Sequence, residues 1–184
     1  LDAANAFNSI SRLKTLQIFR SFEIFKNMRG LVDLLYGAYS NLYIVSDSED
    51  SPPVESQRGV RQGDPLGSFL FAIAIHPTLL LAREKFPNVE IYAYIDDVTL
   101  LSLNRDDIGL CAAFIEKAWR EGLDLLLNRK KCEWRGNRGV EAPGALRDFI
   151  NRGENDSIKI LGRHFGSDEA VIAALQRDFE SDIV

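Results

Sequence analysis

Residues 92–101 read YAYIDDVTLL, an apolar run rich in aromatic and β-branched residues, interrupted by two adjacent aspartates. In a regular strand neighbouring side chains point to opposite faces, so Asp96 and Asp97 would be sent different ways. At least one would then meet apolar surroundings, where an unpaired carboxylate is costly or takes up a proton. A turn at Ile95-Asp96-Asp97 avoids that cost, because both carboxylates can then project from the tip of a hairpin into one cleft. VEIYAY and VTLLSL on either side are the two short strands such a hairpin needs.

Like charges so close raise each other's pKa unless a cation sits between them. Magnesium suits such a place, since it prefers hard oxygen ligands, and two ions about 3.5–4 Å apart can clamp the oxygens of a phosphoryl transfer. An aspartate pair in a solvated turn is the other reading, and the dipeptide alone favours it. A third carboxylate would shift that balance. Asp2, in LDAANAF, follows an apolar residue and precedes a helical segment, as at a strand-to-helix corner. Residues 57–71, QRGVRQGDPLGSFLF, add Gln62, able to touch a base or sugar, and Gly63, which lets backbone approach a ligand closely. In the same segment Asp64-Pro65 reads as an ordinary helix start, and both readings hold together.

Farther out, residues 10–27 have helical spacing, with Ser9 or Ser11 as cap, and LVDLLYGAYS predicts a second short helix. NLYIVSDSEDSPPVESQRGV reads as a hairpin with a solvated acidic tip at Asp47, Glu49 and Asp50. Residues 66–85 predict a buried helix that Pro77 kinks or interrupts. Residues 106–122 form an amphipathic helix stopped by Gly122, LDLLLN and the stretch through Trp134 look extended, RGNRGVEAPG is a loop, SIKILG a strand and DEAVIAALQRDFES a last helix. The class is α+β, with strands paired mostly as hairpins and helices on one face.

The 184 residues are 46% hydrophobic and 27% charged, enough for one domain with a core. No unbroken apolar run reaches the length of a membrane span and no signal pattern opens the chain, so an intracellular protein without membrane attachment is expected. Cys111 and Cys132 lack metal-ligand spacing and fit reduced thiols, and His76 and His164 stand alone. The net charge of −5 argues against a nucleic-acid binder.

LDAANAFNSISR, RGVRQGDPLGSFLF, YAYIDDVTLL, GLDLLLNRKKCEW and IKILG follow one another in this order and resemble palm motifs A to E of reverse transcriptases. The RQGDPL block is most similar to non-LTR retrotransposons, whereas YIDD is closer to the retroviral form. The resemblance implies an α+β palm with an antiparallel sheet over residues 1–166, then a helix at 167–184 that starts the connection toward a thumb. It implies an RNA-directed DNA polymerase whose partners are an RNA template, a DNA primer and dNTP. Asp2, Asp96 and Asp97 match the Mg2+ ligands, with Mn2+ as a substitute. Phe7 matches the bulky residue under the incoming sugar and Ala6 its small neighbour; Arg61, Gln62 and Gly63 match the nucleotide and template contact. Asn128 and Lys131 match the fourth block, with its lysine as general acid to pyrophosphate, and Lys130 competes for that role. Leu161 and Gly162 match the primer grip. Fingers, thumb and endonuclease regions known in such elements are expected to lie outside these residues, which would explain the acidic balance. A truncated piece is therefore expected to extend a primer little by itself and to expose apolar surface. A catalytically inactive, palm-like relic or binding domain is the alternative.

Overall fold

The computed structural model describes residues 1–42, 52, 54–136, 140–153, 156–161 and 163–181. A short α1 (Ala6–Ser9) precedes Ser11, which is extended and accepts the Lys14 amide at 3.4 Å, so that α2 (Arg12–Ser21) begins there. The helix predicted to run on to residue 27 stops at Ser21 and is followed by a 3-10 turn, Glu23–Met28. The reason is aromatic: Phe25 stacks on Phe19 at 5.8 Å and meets Phe69 edge-on at 5.1 Å. Six residues apart on one α-helix, Phe19 and Phe25 would face different directions. Next come α3 (Arg29–Tyr36), β1 (Ser40–Leu42) and β2 (Val54–Ser56), the strands antiparallel with Ser40 opposite Ser56. The acidic tip expected between them lies outside the described residues.

In α4 (Pro65–Lys85) Asp64 caps the first turn by accepting the Leu66 amide at 2.9 Å, and the helix continues through Pro77 rather than breaking there. By length and composition α4 is able to cross a membrane, which an expectation based on unbroken apolar runs overlooked. Leu70, Phe71, Ala74 and Ile75 are nevertheless buried at helical spacing, the pattern of a helix packed on a core. Then follow β3 (Glu90–Tyr94), β4 (Asp97–Leu101), α5 (Arg105–Leu123), β5 (Glu133–Trp134), β6 (Ile150–Asn151), β7 (Ile158–Ile160), β8 (Arg163–Phe165) and α6 (Asp168–Ser181).

The mixture of helices and antiparallel strands is as expected. The strands do not join one sheet: among the described residues they form four pairs, of which β5 with β6 is parallel. The chain divides into two compact units, one of residues 1–3, 79–117 and 127–184, the other of residues 4–78 and 118–126.

In the second unit Arg12 is 7% exposed yet carries a full guanidinium charge inside. It donates to the carbonyls of Gly59 at 2.8 Å, Ser56 at 2.7 Å and Arg58 at 2.7 Å, and to Ser56 Oγ at 3.0 Å. This fan of bonds shapes the turn after β2. Gly59 sits there at φ 72 with its amide on the Ile10 carbonyl; a Cβ would lie 2.4 Å from the Phe7 oxygen. No alanine fits.

The first unit packs Ala112, Cys132, Trp134, Leu146 and Phe149 into one apolar cluster, flanked by Leu1, Leu100 and Leu127. At its far end Ser157 Oγ meets His164 Nδ1 at 2.8 Å, His164 Nε2 meets Asp178 Oδ2 at 3.0 Å, and Lys159 Nζ donates to the same oxygen at 2.8 Å. These bonds tie the β7–β8 hairpin to α6.

Replacing Arg12 with methionine strands three carbonyls and should cost about 3 kcal/mol in chemical denaturation; a loss below about 1 kcal/mol would mean that water takes over. The Lys159 hydrogen bond, then His164, pulls the Asp178 carboxyl from its usual 3.8 to about 2. A depressed carboxyl stabilises the fold above its unfolded pKa and ceases to do so as pH falls toward the folded value. Protection of the α6 amides, taken relative to their intrinsic exchange rates, should therefore fall as pH drops between 3.8 and about 2. Asp178→Asn should remove that step, and an unchanged acid profile in the variant would refute the assignment.

Candidate functional site

Pairing of Tyr94 with Asp97 closes the β3–β4 hairpin, leaving Ile95 and Asp96 as a two-residue turn. Asp97 thus belongs to β4 and not to the turn, which corrects the three-residue tip expected from the sequence. Ile95 takes φ 57, a left-handed conformation that a β-branched side chain adopts only at a cost of about 1–3 kcal/mol. Strain at this tip sets where the two carboxylates emerge: Asp97 is exposed and Asp96 half-buried.

Asp2 arrives from a backbone seam. The Leu1 nitrogen donates to the Val98 carbonyl at 2.5 Å and the Val98 amide to the Leu1 carbonyl at 3.3 Å. On the other edge Ala3 bridges antiparallel to Leu127, and the Asn128 amide donates to the Asp2 carbonyl at 2.8 Å. The seam brings the carboxylates within electrostatic reach of one another. Burial is the largest cause raising the Asp2 pKa; the Lys131 ammonium opposes it, and the charges of Asp96 and Asp97 push it further up.

Asp2, Asp97, Lys131 and Leu161 line one cavity of about 480 Å³, most of whose wall is apolar. Asp96 is not on that wall, although its charge reaches Asp2. Adjacent positions on a hairpin end aim differently, and of the two only Asp97 stands on the cavity wall. Among the described residues no three His, Cys, Asp or Glu side chains are gathered closely enough to hold one ion. The donor chemistry still fits a hard divalent cation: the acids are all oxygen ligands, and a cation would relieve the repulsion that raises Asp2. Of the two candidate lysines, Lys131 lines the cavity and acts on Asp2, whereas Lys130 does neither. Leu161 takes φ 48 at the tip of the β7–β8 hairpin; Gly162, the other half of the expected primer grip, lies outside the described residues.

Ala6, Phe7, Arg61, Gln62 and Gly63 belong to the second unit. Ala6 is buried, and Phe7 stacks on Phe71 with centroids 5.3 Å apart and planes at 15°. Gln62 and Gly63 are exposed, Gly63 at φ 84 with open space where a Cβ would stand. Arg61 is folded back on its own unit: it donates to the Leu35 carbonyl at 3.2 Å and lies 5.4 Å over the Tyr36 ring. Tyr36 was not singled out from the sequence, yet its hydroxyl donates to Asp64 at 2.6 Å. Burial and that bond push its pKa up to about 12. Tyr36 lies four residues after the buried Val32 on one face of α3, and nothing in that spacing points to Asp64. Cys132 was likewise read merely as a thiol, and nothing in its spacing pointed to Asp2.

Residues 1–165 match the family model described as Reverse transcriptase (RNA-dependent DNA polymerase). Over 156 residues the chain is 33% identical to the Retrotransposable element SLACS 132 kDa protein of Trypanosoma brucei gambiense, covering 83% of this chain and 13% of that protein. It is 25% identical over 187 residues to the Transposon TX1 uncharacterized 149 kDa protein of Xenopus laevis, covering 92% and 14%. It is 27% identical over 146 residues to the Retrovirus-related Pol polyprotein from type-1 retrotransposable element R2 of Popillia japonica, covering 72% and 23%. The chain thus spans less than a quarter of the length of these relatives. The match over nine-tenths of its residues means that this chain belongs to the reverse transcriptase family.

Proposed function

We propose that the chain is the palm of an RNA-directed DNA polymerase from a non-LTR retrotransposon, with residues 1–166 as the palm and 167–184 as the start of a connection to a thumb. The observation that carries the reading is the cavity on which Asp2, Asp97 and Lys131 meet, with Asp96 acting on Asp2 from the adjoining turn. In the proposed reaction a primer 3′-hydroxyl attacks the α-phosphate of a dNTP paired to an RNA template, and pyrophosphate leaves. Asp2, Asp96 and Asp97 would hold Mg2+, or Mn2+ in its place. When bound, the metal supplies positive charge beside the attacking and leaving oxygens.

The remaining roles fall to side chains. Lys131 is suited to hand a proton to the departing pyrophosphate, because it sits on the cavity wall with its ammonium near the acids. Leu161, with Gly162, is assigned to the primer end. By motif match Gln62 and Gly63 meet the nucleotide and template with Arg61, and Phe7 beside Ala6 rejects a 2′-hydroxyl. We propose further that positioning of primer and triphosphate needs other parts of a longer element protein, so the chain alone would extend little. An inactive relic is the competing reading, since the three aspartates are not gathered at one point.

Primer extension on an RNA template, in an element protein that includes this chain, distinguishes the two. Asp96→Asn should lower extension at least about 10³-fold, the scale expected when a ligand of two-metal catalysis is lost. Wild-type rates in that variant would remove the polymerase reading. In the same protein Phe7→Ala should raise incorporation of rNTP relative to dNTP by about tenfold or more, as removal of a steric clash predicts. An unchanged ratio would leave Phe7 as the stacking partner of Phe71 and nothing else.

A further inference from the structure

Both polar groups of the Asp2 backbone face the same buried side chain. The Asp2 amide donates to Cys132 Sγ at 3.2 Å, and the thiol lies 3.7 Å from the Asp2 carbonyl, placed to donate in return. Cys132 is 1% exposed, and a thiol placed between these two groups can serve as acceptor and donor at once. The turn that carries it is closed on itself: the Cys132 amide donates to the Asn128 carbonyl at 3.1 Å, and the Asn128 amide to the Asp2 carbonyl at 2.8 Å. Arg129 anchors that turn to α5 through Glu116 at 2.7 Å.

We propose that Cys132 is a positioning residue for Asp2, its thiol fixing the Asp2 backbone so that the carboxylate is presented to the cavity beside Asp97. The inference rests on the reading of Asp2 as a metal-holding carboxylate. Sulfur makes a weak hydrogen bond, but a buried amide left with no partner is expensive, and backbone freedom at Asp2 would loosen a ligand that must be held within a fraction of an ångström. The competing account is that Cys132 only packs, since it shares a cluster with Trp134, Leu146 and Phe149.

Serine and alanine separate the two accounts. They are close in volume, and only serine can accept the Asp2 amide. If Cys132 merely packs, serine is no better than alanine, because burying a hydroxyl costs. If it positions Asp2, serine rescues. The first measurement is hydrogen exchange of the Asp2 amide in the metal-free chain: about tenfold faster in Cys132→Ala, and returned toward wild type in Cys132→Ser. The second is Mn2+ affinity of the chain, read from the paramagnetic resonance of free Mn2+. Cys132→Ala should weaken it about tenfold or more, and Cys132→Ser by less than about threefold. Asp2→Asn serves as the control for site-bound metal. Should the alanine form fail to fold, the isosteric pair Cys132→Val and Cys132→Thr asks the same question. Serine no better than alanine in both measurements, with both variants folded, overturns the inference. Mn2+ binding that is indifferent to Asp2→Asn, with exchange behaving as expected, instead overturns the metal reading, and with it the functional role given to Cys132.

Discussion

Leu1 to Ala3 are hydrogen-bonded along both edges, to Val98 on one side and to residues 127–128 on the other, and the unit around the cavity depends on that seam. Two hydrogen bonds between Leu1 and Val98 set its register. A slip of one residue would put Asp2 where Leu1 now flanks the cluster of Trp134, Leu146 and Phe149. The exchange would bury a carboxylate among apolar groups and expose a leucine. Register here is therefore enforced by the core rather than by the acids, and it decides which side chain reaches the cavity.

Several local preferences are overridden around this seam. Ile95 and Leu161 take left-handed φ values of 57 and 48 at the tips of two hairpins, where glycine or asparagine would be at ease. Each costs about 1–3 kcal/mol. Asp2 carries a raised pKa, largely from burial, with like charges adding to it. Such conflicts persist only when their surroundings outweigh them. Arg129 shows how: its guanidinium pairs with Glu116 at 2.7 Å, donates to the Ala145 carbonyl at 2.5 Å and lies 5.0 Å over the Phe149 ring. One side chain thus braces the 128–132 turn against both α5 and the cluster.

Features written as short-range patterns were legible in the sequence. The YIDD hairpin, the Asp64-Pro65 helix start and the long apolar α4 all follow from alternation, capping residues and spacing. What escaped depends on partners far apart in the chain. The break after Ser21 requires Phe69, and the parallel pairing of β5 with β6 is fixed by the Ile150 amide on the Cys132 carbonyl at 2.8 Å. Arg12 reads as one more charge in an amphipathic helix until the carbonyls of residues 56, 58 and 59 are seen around it. The same limit applies at the cavity. Two adjacent aspartates predict a crowded pair of charges, but that one stands on the wall and the other in the turn follows from the Tyr94–Asp97 register, which the dipeptide does not encode.

Charge needs the same distinction between total and place. A net −5 counts against a partner made of phosphates, and parts lying elsewhere in an element protein offered one explanation. The cavity offers a nearer one. Its wall carries Asp2, Asp97 and Glu133 against Lys131, Arg135 and Lys159, so its acids and bases are equal in number. At physiological salt a charge is screened over about 8 Å, so a phosphate entering the cavity would respond to those six groups more than to the net charge of the whole chain. Divalent cations at the aspartates would tip this balanced wall to positive. The acidic composition is therefore compatible with an anionic substrate, provided that the positive charge comes with the metal and is not stored in the chain.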